Sequence, residues 1–138
     1  MISSRIYTVT SGGLFSVWDL TDFDIIYQKD YNKKTKFLLG FKLTNRMNLI
    51  FENDIICLDT NPKKNTYEEM PEYTLMLNLI TCATINPDEQ ILGVATISAA
   101  SPDVILFGTD GGFIKIKQIS GFKSSIKYID FSTDNYYL

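Results

Sequence analysis

Short apolar runs, each closed by a cluster of turn-forming residues, recur along this chain, and no long helical apolar period accompanies them. That rhythm constrains the fold more than any single residue does. A strand needs only a brief alternation of side chains across a pleat, whereas a globular helix needs apolar residues every three or four positions over several turns. Residues 5–10 alternate, with Ile6, Thr8 and Thr10 set against Tyr7 and Val9. Ser11-Gly12-Gly13 then reads as a tight turn, because glycine takes positive φ without steric cost. The spacing predicts further strands over 14–20, 24–30, 36–43, 47–51, 54–59, 73–77, 79–86, 91–97, 103–108, 113–119 and 126–132. Turns fall at Thr44-Asn45-Arg46, Glu52-Asn53, Pro87-Asp88-Glu89-Gln90 and Asp110-Gly111-Gly112. Such a pattern is all-β, with meander connectivity. Residues 60–72 break the rhythm: they are polar, contain Pro62 and Pro71, and read as an exposed loop in which a short helical turn over Thr66–Met70 stays open.

Composition removes several classes of function. A chain of 138 residues suffices for one domain with a modest core. The net charge of −3 gives no bulk attraction for nucleic acid or an anionic membrane, so neither is expected as a partner. No apolar run approaches the roughly 20 residues that span a bilayer, and the start lacks the basic and apolar regions of a signal peptide. Cys57 and Cys82 lie in apolar runs and are expected as buried free thiols in a reducing, cytoplasmic compartment. There is no histidine. That removes the commonest general base and zinc ligand, so no metal, cofactor or catalytic group is expected.

The chain repeats itself. "FLLGFKLTNRMNLIF" from Phe37, "LITCATINPDEQILGVAT" from Leu79 and "SIKYIDFSTDNYYL" from Ser125 each carry an apolar strand, a polar turn and a second apolar strand. Phe41, Ile85 and Phe131 fall at equivalent places. A second signal recurs between the units: "FSVWDL" with Trp18-Asp19 before the first, "IICLDT" with Leu58-Asp59 after it and "VILFGT" with Phe107-Gly108 after the second. The interval, roughly 40–50 residues, marks solenoids, propellers or arrays.

These elements resemble the WD40 repeat, in which about 40–45 residues make one four-stranded propeller blade. Val17-Trp18-Asp19 is similar to the motif that gives the repeat its name, and Ile126 to Asp134 is similar to its innermost strand and following turn. The resemblance implies blades over residues 1–35 (outer strands of one blade), 36–78, 79–124 and 125–138 (the opening of a fourth). About three blades cannot close a ring of four to eight. The expectation is therefore a piece of a longer chain, or a ring completed by blades from another chain. Many WD40 repeats carry Gly-His before the inner strand; here Ser120-Gly121-Phe122 stands there, so the usual buried histidine network is replaced by apolar packing. Within the class, residues 124–138 are most similar to the echinoderm microtubule-associated protein-like family. That likeness implies a protein-binding scaffold at the cytoskeleton or a cilium, with tubulin or axonemal partners. The alternative is a subunit of a nucleolar or RNA-processing assembly.

Trp18, Asp19, Phe41, Leu58, Asp59, Ile85, Asp88, Phe107, Phe131 and Asp134 are thus read as structural repeat positions, with the Trp18 indole packed between blades. Asp88, Asp110 and Asp134 sit in turns, where they bond local backbone. Asp88 and Glu89 adjoin but do not converge across a cleft as a catalytic pair must. Gly111-Gly112 lacks the helix start and Lys-Ser/Thr of a phosphate loop. Tyr67, Met70 and Tyr73 in the long loop are candidate partner anchors. Lys115 and Lys117, expected on one face of an outer strand, either keep an edge solvated or meet an acidic partner.

Overall fold

A computed structural model describes residues 4–63, 67–99 and 101–133. The expected aspartate at 134 lies outside these residues. Three antiparallel sheets follow one another along the chain. Sheet A is the meander β1 (Arg5–Val9), β2 (Leu14–Asp19) and β3 (Ile25–Asp30). Sheet B comprises β4 (Thr35–Phe41), β5 (Arg46–Phe51) and β6 (Asp54–Asp59). Its outer side is shared by two short strands, β7 (Glu68–Glu69) and β8 (Leu75–Met76), both paired to β6. Sheet C is β9 (Leu79–Ile85), β10 (Ile91–Ser98), β11 (Ser101–Gly108) and β12 (Ile114–Ile119).

The sheets stack face to face through two cores, and side-chain alternation explains both. Leu49, Phe51, Ile56 and Leu58 of sheet B pack with Phe15 and Val17 of sheet A. Ile50 and Ile55, on the opposite face of sheet B, pack with Ile80, Leu92, Val94 and Phe107 of sheet C. Successive residues of β5 and β6 thus feed two different cores, as the two-residue period of a strand requires. Each large side chain buried this way contributes roughly 1.5–3 kcal/mol. A sheet buried on both faces reads as a continuous apolar run, and "LIF" in β5 and "IICL" in β6 are such runs.

The turns are built locally. Gly13 takes φ +100, and a Cβ there would stand 2.7 Å from the Lys33 carbonyl oxygen, so only glycine fits. Between β9 and β10 the Asn86 side chain, 1% exposed, accepts the backbone N–H groups of Gln90 and Ile91 at 2.9 and 2.8 Å.

Several expectations need correction. Residues 126–132 form no strand. A strand exists only where a partner bonds its backbone, and among the described residues no ladder includes this segment. It packs on sheet C through side chains instead: Ile129 and Phe131 lie 3.5 and 3.4 Å from where a Cβ on Gly93 would stand. The strand expected over 73–77 contracts to Leu75–Met76, because Pro71–Tyr73 forms a 3₁₀ turn. Pro71 has no N–H to give a ladder. This turn splits the outer strand of sheet B in two.

Candidate interaction surface

The repeat positions occupy matching places in the three sheets. Leu58, near the end of β6, faces sheet A; Phe107, near the end of β11, faces sheet B. Trp18 holds the same place in β2, next to Val17, which faces sheet B. The indole therefore points the other way, where no described sheet stands, rather than between two described sheets. It is half-buried, pairs across the sheet with the exposed Ile6 and Ile25, and donates its Nε1–H to Thr8 Oγ1 at 3.0 Å.

Asp19 and Asp59, each one residue beyond these positions, work alike. Asp19 Oδ1 accepts the Thr21 N–H at 2.7 Å and Asp59 Oδ1 the Asn61 N–H at 3.0 Å, so each carboxylate closes the turn leaving its strand. Phe41 and Ile85 end β4 and β9. Phe41 is 1% exposed in the B–C core and meets Phe113 edge-on, while the half-buried Ile85 packs against the same core. Asp88 Oδ1 accepts from Asn86 Nδ2 at 2.6 Å and from the Gln90 N–H at 3.2 Å.

Two of the proposed anchors turn inward. Tyr67 is 6% exposed, belongs to the A–B core, stacks near Tyr27 and accepts from Arg5 Nη1. Tyr73 is 4% exposed; its hydroxyl donates to the Thr109 carbonyl at 2.8 Å and the Arg46 guanidinium lies 4.0 Å above its ring. Both are corrected from partner anchors to staples that tie the loop into successive inter-sheet cores. Tyrosine suits this because it buries a large ring while its hydroxyl keeps a partner. Met70 is half-buried, and its N–H bonds the Cys57 carbonyl at 2.9 Å. Residues 60–63 and 67–72 are accordingly less exposed than expected.

The lysine pair also departs from its expected geometry. Lys115 stands opposite Phe107 and Lys117 opposite Leu106, with a register shift between them. Residues facing consecutive positions of β11 project to opposite sides, so the bulge places one lysine on each face. Both are exposed.

Sequence reasoning missed Glu89. It is 7% exposed and has φ 60. Its carboxylate accepts the N–H groups of Leu43 and Thr44 at 3.0 and 3.1 Å and the Thr44 hydroxyl at 2.9 Å. This ties the β9–β10 turn of sheet C to the β4–β5 turn of sheet B. The only local hint was the turn signal Asn86-Pro87-Asp88. Lys33 with Asp54, and Lys34 with Glu52 at 3.1 Å, make ion pairs between the A–B connection and the β5–β6 turn.

Two open clefts lie at the sheet boundaries. One of about 650 Å³, between sheets A and B, is lined by Arg5, Tyr7, Phe41, Lys42, Arg46 and Met47 among others. One of about 810 Å³, between sheets B and C, includes Arg46, Tyr73, Asp88, Asp110, Ile114 and Ile116. Cys57 and Cys82 carry free thiols; burial pushes the Cys57 thiol up to about 12. Among the described residues no group of three or more cysteine, aspartate or glutamate side chains is placed to hold a metal ion, and no helix is long and apolar enough to cross a membrane.

Stacked antiparallel sheets of this kind, each with its edge-to-edge meander, define a β-propeller segment. Solved structures agree. The β-propeller domain of Cps50 (Swd1) from Myceliophthora thermophila superposes with a TM-score of 0.69 at 11% identity, over 88% of this chain and 41% of that one. The WD40 domain of Toxoplasma gondii coronin gives 0.68 at 6% identity, over 89% and 32%. Hydrazine synthase of Kuenenia stuttgartiensis, an enzyme, gives 0.68 at 10% identity, over 90% and 34%. The chain thus spans about a third to two-fifths of the length of these structures, and the likeness is one of fold. No protein-family model matches the sequence, and no curated protein does.

Proposed function

We propose that this chain is part of a WD40-type propeller that acts as a non-catalytic scaffold for other proteins, its ring completed by further blades. The observation that carries the reading is where the turn carboxylates spend their hydrogen-bonding capacity. Asp19, Asp59, Asp88 and Glu89 all accept bonds from backbone or side-chain groups that shape turns or tie sheets. A general acid or base has to face a substrate proton instead. The rigid frame leaves edge strands and inter-sheet clefts as its recognition surfaces.

A narrower reading places the scaffold in the cytoplasm, on microtubules or in a cilium, with tubulin or axonemal proteins as partners. It draws on the likeness of residues 124–138 to the microtubule-associated family. The rival is a nucleolar or RNA-processing assembly. Co-sedimentation with polymerised tubulin separates them. Pelleting with microtubules supports the cytoskeletal reading. An absence of pelleting, together with RNA binding that falls steeply with salt, supports the rival and ends the first.

A further inference from the structure

We propose that the outer edge of β12 is a docking strand for an extended protein segment that alternates carboxylates with apolar side chains, added to sheet C as a fifth strand. The inference rests on the protein-binding reading and names the chemistry of one partner.

Sheet C runs β12-β11-β10-β9, so among the described residues β12 pairs on one side only. An edge strand presents unpaired N–H and C=O groups in a row, and extended peptides bind by joining such edges. The outer strands of the other sheets are less open to this. β3 carries Lys29 and Asp30, and Lys29 pairs with Glu69 at 2.9 Å. The outer side of sheet B is cut into the two-residue strands β7 and β8. β12 is six residues long, "IKIKQI", with two lysines and no carboxylate. Ile114, Ile116 and Ile119 are 58%, 56% and 40% exposed.

Those residues make a selective edge. β-Branched side chains favour extended pairing. Lysines facing lysines would repel a second copy of β12, whereas carboxylates placed opposite them attract. None of the ion pairs found among the described residues involves Lys115 or Lys117. Lys115 Nζ donates to Gln118 Oε1 at 2.6 Å, and Gln118 Nε2 donates to Asp103 Oδ2 at 3.0 Å. Asp103 is 8% exposed, so solvent on this edge meets the cations rather than that carboxylate. The bulge sets one lysine on each face of the sheet, so whichever face an alternating strand gives to its carboxylates, one of the two cations stands on it.

The test is fluorescence anisotropy with a labelled synthetic peptide alternating glutamate and valine. Three comparisons accompany it: oligoglutamate of equal charge, the same peptide N-methylated along its backbone, and its lysine-valine counterpart. The glutamate-valine peptide is expected to bind at least tenfold more tightly than all three. The double variant Lys115→Glu/Lys117→Glu, and the milder Lys115→Gln/Lys117→Gln, are expected to weaken it at least tenfold, with circular dichroism unchanged. Absence of binding overturns the proposal. So does equal binding of oligoglutamate, which would mean charge alone, or equal binding of the methylated peptide, which would mean no strand addition. Failure here in a protein that still pellets with microtubules or binds RNA removes the docking strand and leaves the scaffold reading standing.

Discussion

The Glu89 carboxylate accepts both the backbone N–H and the hydroxyl of Thr44, a residue 45 positions earlier, at 3.1 and 2.9 Å. With the Leu43 N–H at 3.0 Å it forms a three-donor clasp between sheets B and C. Hydrogen bonds to charged groups contribute about 1.5–3 kcal/mol each, and a buried donor left alone costs more than a solvated one. Glu89→Ala is therefore expected to lower stability by about 3 kcal/mol, and Glu89→Gln by about 1 kcal/mol. Urea unfolding measures both. A double-mutant cycle with Thr44→Ala should show a coupling of at least about 0.5 kcal/mol; additive losses would mean that the clasp carries nothing.

Tyr73 distinguishes a staple from a docking anchor. Tyr73→Phe keeps the ring against Phe113 and Arg46 but strands the Thr109 carbonyl. The expected loss is about 1 kcal/mol. Tyr73→Ala removes the ring as well and is expected to cost about 3–5 kcal/mol. Thermal or urea denaturation reports both values. A Tyr73→Ala protein of unchanged stability would return this residue to the surface role that its loop suggested.

Gly12 and Gly13 adjoin, yet they should respond unequally to alanine. A Cβ on Gly13 meets Lys33 backbone atoms at 2.7 and 2.8 Å, and its φ is +100. Nothing lies within 4 Å of a Cβ on Gly12. Gly13→Ala is expected to destabilise by more than about 2 kcal/mol, and Gly12→Ala by less than about 0.5 kcal/mol. Equal effects would show that Lys33 moves aside.

Burial raises the Cys57 thiol from 9.0 to about 12, with the Arg46 charge pulling the other way. The folded state therefore holds this proton more tightly than the unfolded chain does. Its stabilising effect is complete below pH 9.0 and is lost as the pH climbs towards 12. In that window the stability of the unsubstituted protein should fall more steeply than that of Cys57→Ala, by up to about 1.4 kcal/mol per pH unit. Denaturant titrations at successive pH values compare the slopes; parallel curves would remove Cys57 as the cause. Thiol-modifying reagents should also reach the half-buried Cys82 before Cys57.

Local chemistry already determined much of this molecule. Alternation and turn residues placed β1, β2, β5, β6, β10 and β11 to within a residue or two, because a strand's period and a glycine's φ are properties of a few neighbouring residues. The recurrence of Trp18, Leu58 and Phe107 was visible for the same reason. The tertiary structure alone decided which strands found partners and which polar side chains went inside. Residues 126–132 have a strand's pattern but no ladder, because a ladder needs a second backbone that pattern cannot supply. Tyr67 and Tyr73 read as surface residues of a polar loop, and only the stacking of three sheets gave their rings cores to enter. The bulge that splits Lys115 from Lys117, and the clasp between Glu89 and Thr44, depend on contacts made across sheets or strands. Such contacts arise from the geometry of packing and leave no periodic mark in the sequence.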